Sequence, residues 1–181
     1  MIVIVAGLGF KVSAVPFHQW TPDAYQGAPL PVTLFLSAAG KAAAFAFFLR
    51  LFSEALLPAA AEWVWLVAIV AALTMIVGNV MAIQQTNLKR LMAYSSIAQV
   101  GYLLIGIVAL DAPTIAQSQD AATGLVLHLV GYVATNILVF TALTAFYNRT
   151  GRDDIIDLRG LAERQPYLAF IFSVGLFSLA G

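Results

Sequence analysis

Four side chains carry titratable nitrogen where it matters most: Lys11, Lys41, His18 and His128. Lys41 stands ten residues after Pro31 and nine before Arg50. In a helix rising about 1.5 Å per residue it is then roughly 15 Å from either end, near the centre of a bilayer. Lysine at that depth costs about 2.5–3.5 kcal/mol on insertion scales. Its neighbours, SAAGKAAAF, are small, which lets a second helix approach and shields the ammonium from lipid. Charge is expensive there, so the amine is suited to releasing and regaining a proton while facing a bundle interior. The alternative is a lysine that snorkels, or pairs structurally with a carboxylate on another helix. Lys11 follows ten apolar residues, MIVIVAGLGF, and lies about 7 Å of helix before Pro16. It either exchanges protons with water admitted at a backbone break or snorkels to the interface.

The two histidines titrate nearest neutral pH. His128 shares a helix face with Tyr132 and Asn136, one turn apart each. Such a stripe points into a bundle, as a water-linked proton path or as a set of interhelical hydrogen bonds. His18 lies between Phe17 and Trp20 in the stretch VPFHQWTPDAYQGAPLPV, and either lines the path or caps free carbonyls. Ser95, Ser96, Gln99 and Tyr102 form a further polar patch, read as packing. Other chemistry is missing. There is no cysteine, hence no thiolate metal site, iron–sulfur cluster or cysteine nucleophile, and a redox centre would belong to another chain. Gly7-Leu-Gly9 lacks the third glycine and the strand of a dinucleotide loop. No paired-carboxylate site is evident, since most acids lie in connections. Asp153, Asp154 and Asp157 belong to RTGRDDIIDLRGLAERQP, read as a solvated connection or a contact with a neighbouring subunit.

What positions these residues follows from composition. Of 181 residues 61% are hydrophobic and 10% charged, far from the roughly 25% charged of a soluble domain, so the chain reads as a polytopic membrane protein. Nine basic and nine acidic residues cancel, leaving no electrostatic footprint for nucleic acid. Charge-free gaps of 26, 20 and 28 residues separate Glu62 from Lys89, Arg90 from Asp111 and Asp120 from Arg149. Each can span a core about 30 Å thick. The expected spans are about 32–52, 63–84, 92–110 and 122–147, with apolar ends 1–15 and 167–181 too short to cross alone. The ends read as cuts inside membrane helices. Met1–Val15 lacks the basic start and the cleavage site of a secretory signal.

Lys89 and Arg90 in connection 85–91, and Arg149, Arg152, Arg159 and Arg164 in 148–166, put both connections on the cytoplasmic side. The sequon Asn148-Arg149-Thr150 is then a chance match. Four of the seven prolines, Pro16, Pro22, Pro29 and Pro31, fall within 16–31, so no regular helix is expected there. Broken backbone at membrane depth is tolerated only inside protein or beside a water-filled cavity; an ordinary interfacial loop is the other reading.

The blocks GFKVSAVPFHQWTPDAYQGAPLPVTLFLSAAGKAAAFAFFLRLF and NVMAIQQTNLKRLMAYSSIAQVGYLLIGI closely resemble the antiporter-like subunit N of proton-translocating NADH-quinone oxidoreductases, the complex I family with its cyanobacterial and chloroplast NAD(P)H-plastoquinone relatives. The resemblance covers all 181 residues but only the central part of the family's length. It implies an all-α transmembrane bundle of two inverted five-helix repeats, of which this chain holds the end of the first and most of the second. By resemblance Lys11 matches the lysine of the broken seventh helix, Lys41 that of the eighth, and Pro16 and Pro22 the break. The glutamate of the fifth helix and the lysine of the twelfth are not in this sequence. His128 stands where related N subunits often carry an aromatic.

The resemblance further implies a translocase subunit that moves protons through intramembrane lysines. NAD(P)H or ferredoxin oxidation, FMN, iron–sulfur clusters and quinone belong to partner subunits of a bacterial plasma membrane or thylakoid-type complex. The same fold serves multisubunit cation/proton antiporters and hydrogenase-like membrane complexes, the two alternatives. The motifs VPFHQWTPDAYQGAP and YSSIAQVGY favour subunit N.

Overall fold

The computed structural model describes residues 1–180; Gly181 lies outside the described residues, and with it the end of the span expected over 167–181. Helices α1 (Ile2–Val12), α2 (Trp20–Gly27), α3 (Leu30–Ser37), α4 (Ala39–Arg50), α5 (Ala60–Ile83), α6 (Leu88–Val108), α7 (Ile115–Thr150), α8 (Leu161–Arg164) and α9 (Pro166–Ala180) follow one another, with no strand pairing beyond a single bridge among the described residues. Four helical runs are long and apolar enough to cross a membrane: Leu30–Ala55, Leu57–Ile83, Leu88–Val108 and Ile115–Thr150. An apolar face is plain on α5, where Trp65, Ile69, Leu73, Ile76, Val80 and Ile83 all face outward.

The proline-rich segment departs from expectation. It holds a regular two-turn helix, α2, because Pro22 sits in the first turn, where a backbone donor has no intrahelical partner. The break is confined to residues 13–19. Ser13 ends α1 in the left-handed conformation, Val15 N donates to Thr74 Oγ1 of α5 at 3.0 Å, and Thr21 Oγ1 donates to Ser13 Oγ. The unwound backbone is thus held by protein. Met1 packs against the cluster containing Phe52 and Trp63, whereas the far end of α2 meets Lys89 and Arg90. Two helices too short to cross alone therefore traverse the bundle together.

The span expected as one helix over 32–52 is interrupted at Ala38, between α3 and α4. Ser37 Oγ donates to Leu34 O at 3.0 Å, and Gly40 follows closely; a hydroxyl competing for the ladder beside a glycine is a common cause of such breaks. Lys41 comes three residues later. At the other end of this run a π-type turn, Leu51–Ala55, precedes α5, next to a stack of Phe45, Phe48 and Phe52 that Trp63 meets edge-on, with successive ring centroids 5.5, 5.7 and 4.7 Å apart. Helix α7 starts earlier than the charge-free gap implied, since Thr114 Oγ1 accepts from Gln117 N at 3.3 Å and caps it.

Helix α6 occupies the centre, with Ser96 through Gly101 all buried. Glycines admit it there. A Cβ built on Gly78 of α5 would stand 2.7 Å from Ala98 N, and one on Gly101 would stand 2.5 Å from Met75 Cγ and 2.8 Å from Met75 N, so backbone fills the space at Gly78, and backbone together with the Met75 side chain fills it at Gly101. Gly78→Ala and Gly101→Ala should each destabilise by about 1–3 kcal/mol through overpacking. Gly124→Ala, with nothing within 4 Å, should not. Thermal unfolding of the three variants in the full-length protein checks this; equal transitions would contradict the close α5–α6 approach.

Candidate functional site

Lys41 projects from α4 to α6 and is 4% exposed. Its Nζ donates to Ser96 O at 2.7 Å and lies 2.5 Å from Ser96 Oγ. Ser96 is itself buried, and its Oγ is 2.6 Å from Tyr132 OH of α7 and 3.4 Å from Tyr25 OH of α2. One hydroxyl thus joins four helices. No carboxylate among the described residues pairs with Lys41; the ion pairs they contain involve Arg50, Lys89, Arg90 and Arg152. The uncharged partners suit both states of the amine. A charged ammonium donates to the carbonyl and to Oγ, whose own proton turns to Tyr132; a neutral amine accepts from Oγ while Tyr132 donates to the same oxygen.

Tyr132 forms part of the wall of a cavity of about 540 Å³. Gln99, His128, Thr135 and Ser178 also line it, so it is polar enough for water, which needs two to four partners. His128 Nε2 lies 3.0 Å from Gln99 Oε1, Gln99 Nε2 donates to Leu179 O at 2.7 Å, and Thr135 Oγ1 is 2.8 Å from Ser178 Oγ. The stripe of His128, Tyr132 and Asn136 therefore divides. Tyr132 and Asn136 are buried, Asn136 Nδ2 donating within its own helix to Tyr132 O at 2.8 Å, while His128 is exposed at the cavity rim.

Lys11 is not drawn into this cluster. It lies in the last turn of α1, exposed, and lines a separate cavity of about 420 Å³ with Phe35, Gly40, Ala43 and Phe47. Helix α4 separates the two lysines, turning Gly40 to one cavity and Lys41 to Ser96. His18 stays in the break; its Nδ1 is buried with no hydrogen-bond partner among the described residues. Pro16 lies in the turn of the break and Pro22 is buried in α2. No group of three or more His, Asp or Glu side chains converges to hold a metal among the described residues.

Ser96 and Gln99, read as packing, are connecting groups. Their spacing of three on a helix buried nearly all round was the available signal, since a polar pair on one face of such a helix needs partners. Tyr25 was hidden by the expectation that its segment was not helical. The RTGRDD segment is a largely exposed connection, as one of its two readings had it. It folds back on the neighbouring connection: Leu88 N donates to Asp153 O at 2.7 Å, Ile155 N donates to Thr86 O at 2.8 Å, and Lys89 Nζ meets Asp153 Oδ2 at 3.4 Å.

Comparison with known proteins gives the family. The family described as NADH:quinone oxidoreductase/Mrp antiporter, TM, matches residues 1–181. The chain is 49% identical to NADH-quinone oxidoreductase subunit N of Heliobacterium modesticaldum, covering 100% of this chain and 37% of that protein. It is 44% identical to NAD(P)H-quinone oxidoreductase subunit 2 of Nostoc punctiforme, over 100% of this chain and 33% of that one. A chain of respiratory complex I from Thermus thermophilus superposes with TM-score 0.76 at 38% identity, over 98% of this chain and 36% of that chain. A chain of the Mrp complex from Dietzia sp. reaches TM-score 0.89 at 24% identity, over 99% and 32%, a likeness of fold. This chain spans about a third of the length of the curated relatives it matches. It belongs to the NADH:quinone oxidoreductase/Mrp antiporter transmembrane family.

Proposed function

We propose that this chain is the central part of a membrane-arm subunit that moves protons across the bilayer within an NADH-quinone oxidoreductase, and that Lys41 is its proton-carrying group. The observation that carries this reading is a buried amine with only uncharged partners, joined through Ser96 and Tyr132 to a polar cavity. A structural lysine at membrane depth is better satisfied by a carboxylate; one that must change its charge is better served by a hydroxyl that reverses its role. Relatives 42–51% identical that bear the subunit N and subunit 2 names support the same reading.

A proton arriving from the cavity at Tyr132 passes through Ser96 to the neutral amine and leaves toward Lys11, on the other side of α4. Lys11, at the mouth of its own cavity, acts as the exchange point on that side. Electron transfer to quinone takes place in other subunits, with their flavin and iron–sulfur clusters, and reaches this chain as a change in the electrostatic cost of charging Lys41. Raising one charge against a membrane potential costs about 2.3 kcal/mol per 100 mV.

Connections 85–91 and 148–166 lie at one end of the bundle, joined by the Thr86–Ile155 and Leu88–Asp153 hydrogen bonds. Their six cations support a cytoplasmic position for that end.

In the intact complex, Lys41→Ala should lower the number of protons pumped per electron while quinone reduction continues; unchanged stoichiometry at normal assembly would contradict the assignment. Ser96→Ala removes a hydrogen bond to a charged buried group worth about 1.5–3 kcal/mol and should slow pumping roughly tenfold or more, again with assembly intact. Since this chain has no cysteine of its own, Arg152→Cys and Asp111→Cys report sidedness directly. In right-side-out vesicles a membrane-impermeant maleimide should label the second and spare the first; the reverse pattern inverts the topology.

A further inference from the structure

A cavity of about 450 Å³ lies between the C-terminal end of α7 and the start of α9, lined by Arg149, Arg164, Gln165, Tyr167, Leu168 and Ile171 among others. Three of the six cations at this end of the bundle are in ion pairs, and a fourth, Arg159, lines a different cavity. Lys89 meets Asp153, Arg90 meets Asp23 and Arg152 meets Asp157. Arg149 and Arg164 form no ion pair among the described residues, and no acid lines the cavity. Two guanidinium groups sharing one pocket repel unless an anion joins them, and their planar donor forks match phosphate oxygens.

Two further features tell what kind of anion. Gln165 Oε1 is buried there without a hydrogen-bond partner and can accept from a hydroxyl. Below the arginines the lining turns apolar at Leu168 and Ile171, and an outward stripe of Tyr167, Ile171 and Val174 continues down α9, with Tyr167 85% exposed. Basic head, interfacial tyrosine and apolar track occur in the order of a lipid's phosphate, glycerol and acyl chain. The first turn of α9 carries no acid, so its free amides add to the same field.

We propose that this cavity binds an anionic glycerophospholipid with a hydroxylated headgroup, its phosphate between Arg149 and Arg164 and an acyl chain along Ile171 and Val174. The site concerns membrane attachment and stands whether or not Lys41 carries protons.

The test uses the complete complex in bilayers, with Val174→Cys labelled by an environment-sensitive fluorophore and quenched by brominated-acyl lipids. Brominated phosphatidylglycerol should quench with an apparent affinity about tenfold above brominated phosphatidylcholine. The preference should vanish in Arg149→Gln/Arg164→Gln and survive in Arg149→Lys/Arg164→Lys. If the glutamine variant fails to assemble, the salt dependence in the protein with both arginines decides, because a preference set by two exposed cations must fall as salt rises. Equal quenching by the two lipids, no quenching by either, a preference that persists without the arginines or is insensitive to salt, or displacement by millimolar inorganic phosphate would each overturn the proposal.

Discussion

The grip of Ser96 on Lys41 is the contact that the rest of the structure serves. A buried ammonium left unsatisfied costs more than the 1–3 kcal/mol of an orphaned neutral group, so α6 must stand close enough to α4 for a short serine to reach. The sequence provides this with alanines around Lys41 on one helix and, on the other side of α6, with Gly78 and Gly101, where added methyls would collide with backbone. The two interruptions, at residues 13–19 and at Ala38, lie beside the same cluster. At the first of them neighbouring protein supplies a partner, Thr74 of α5 for the Val15 amide.

A second set of contacts keeps Tyr25 in reach of Ser96. Helix α2 is short and flanked by prolines, and would not hold its position by itself. Its end is fixed from outside. Lys89 Nζ donates to Gln26 O at 3.2 Å and lies 5.4 Å from the ring centre of Tyr147, and Arg90 bonds both Asp23 and Gln26. Exposed ion pairs alone contribute little, but Lys89 is buried and shared among α2, α7 and the 151–160 segment. Charges that mark one end of the bundle therefore also anchor the broken helix.

Much of this was legible in residue types and spacing. A charge-poor chain with long uncharged gaps dictates helices, Lys41 is conspicuous because lysine is costly at that depth, and the prolines announce a break. What stayed hidden depended on partners distant in sequence. Pro22 reads as a helix breaker until its place in a first turn is known. Ser96 reads as a small packing residue until Lys41, 55 positions away, is seen against it. The interruption of the 32–52 run at Ala38 was not legible because alanine, serine and glycine there look like a smooth small-residue face, whereas the Ser37 hydroxyl turns back on its own backbone. The fold of residues 151–158 onto 86–89 carries no local pattern at all.

The central claim is that the Lys41 amine changes protonation in place, with Ser96 satisfying both forms. Nitrogen NMR of the intact complex, with lysine Nζ isotopically labelled and Lys41 identified by its loss in Lys41→Arg, reads that state directly. A resonance that moves between ammonium and neutral-amine positions when the complex goes from rest to turnover is the expected result. An ammonium signal that holds throughout would contradict the account and leave Lys41 a structural residue.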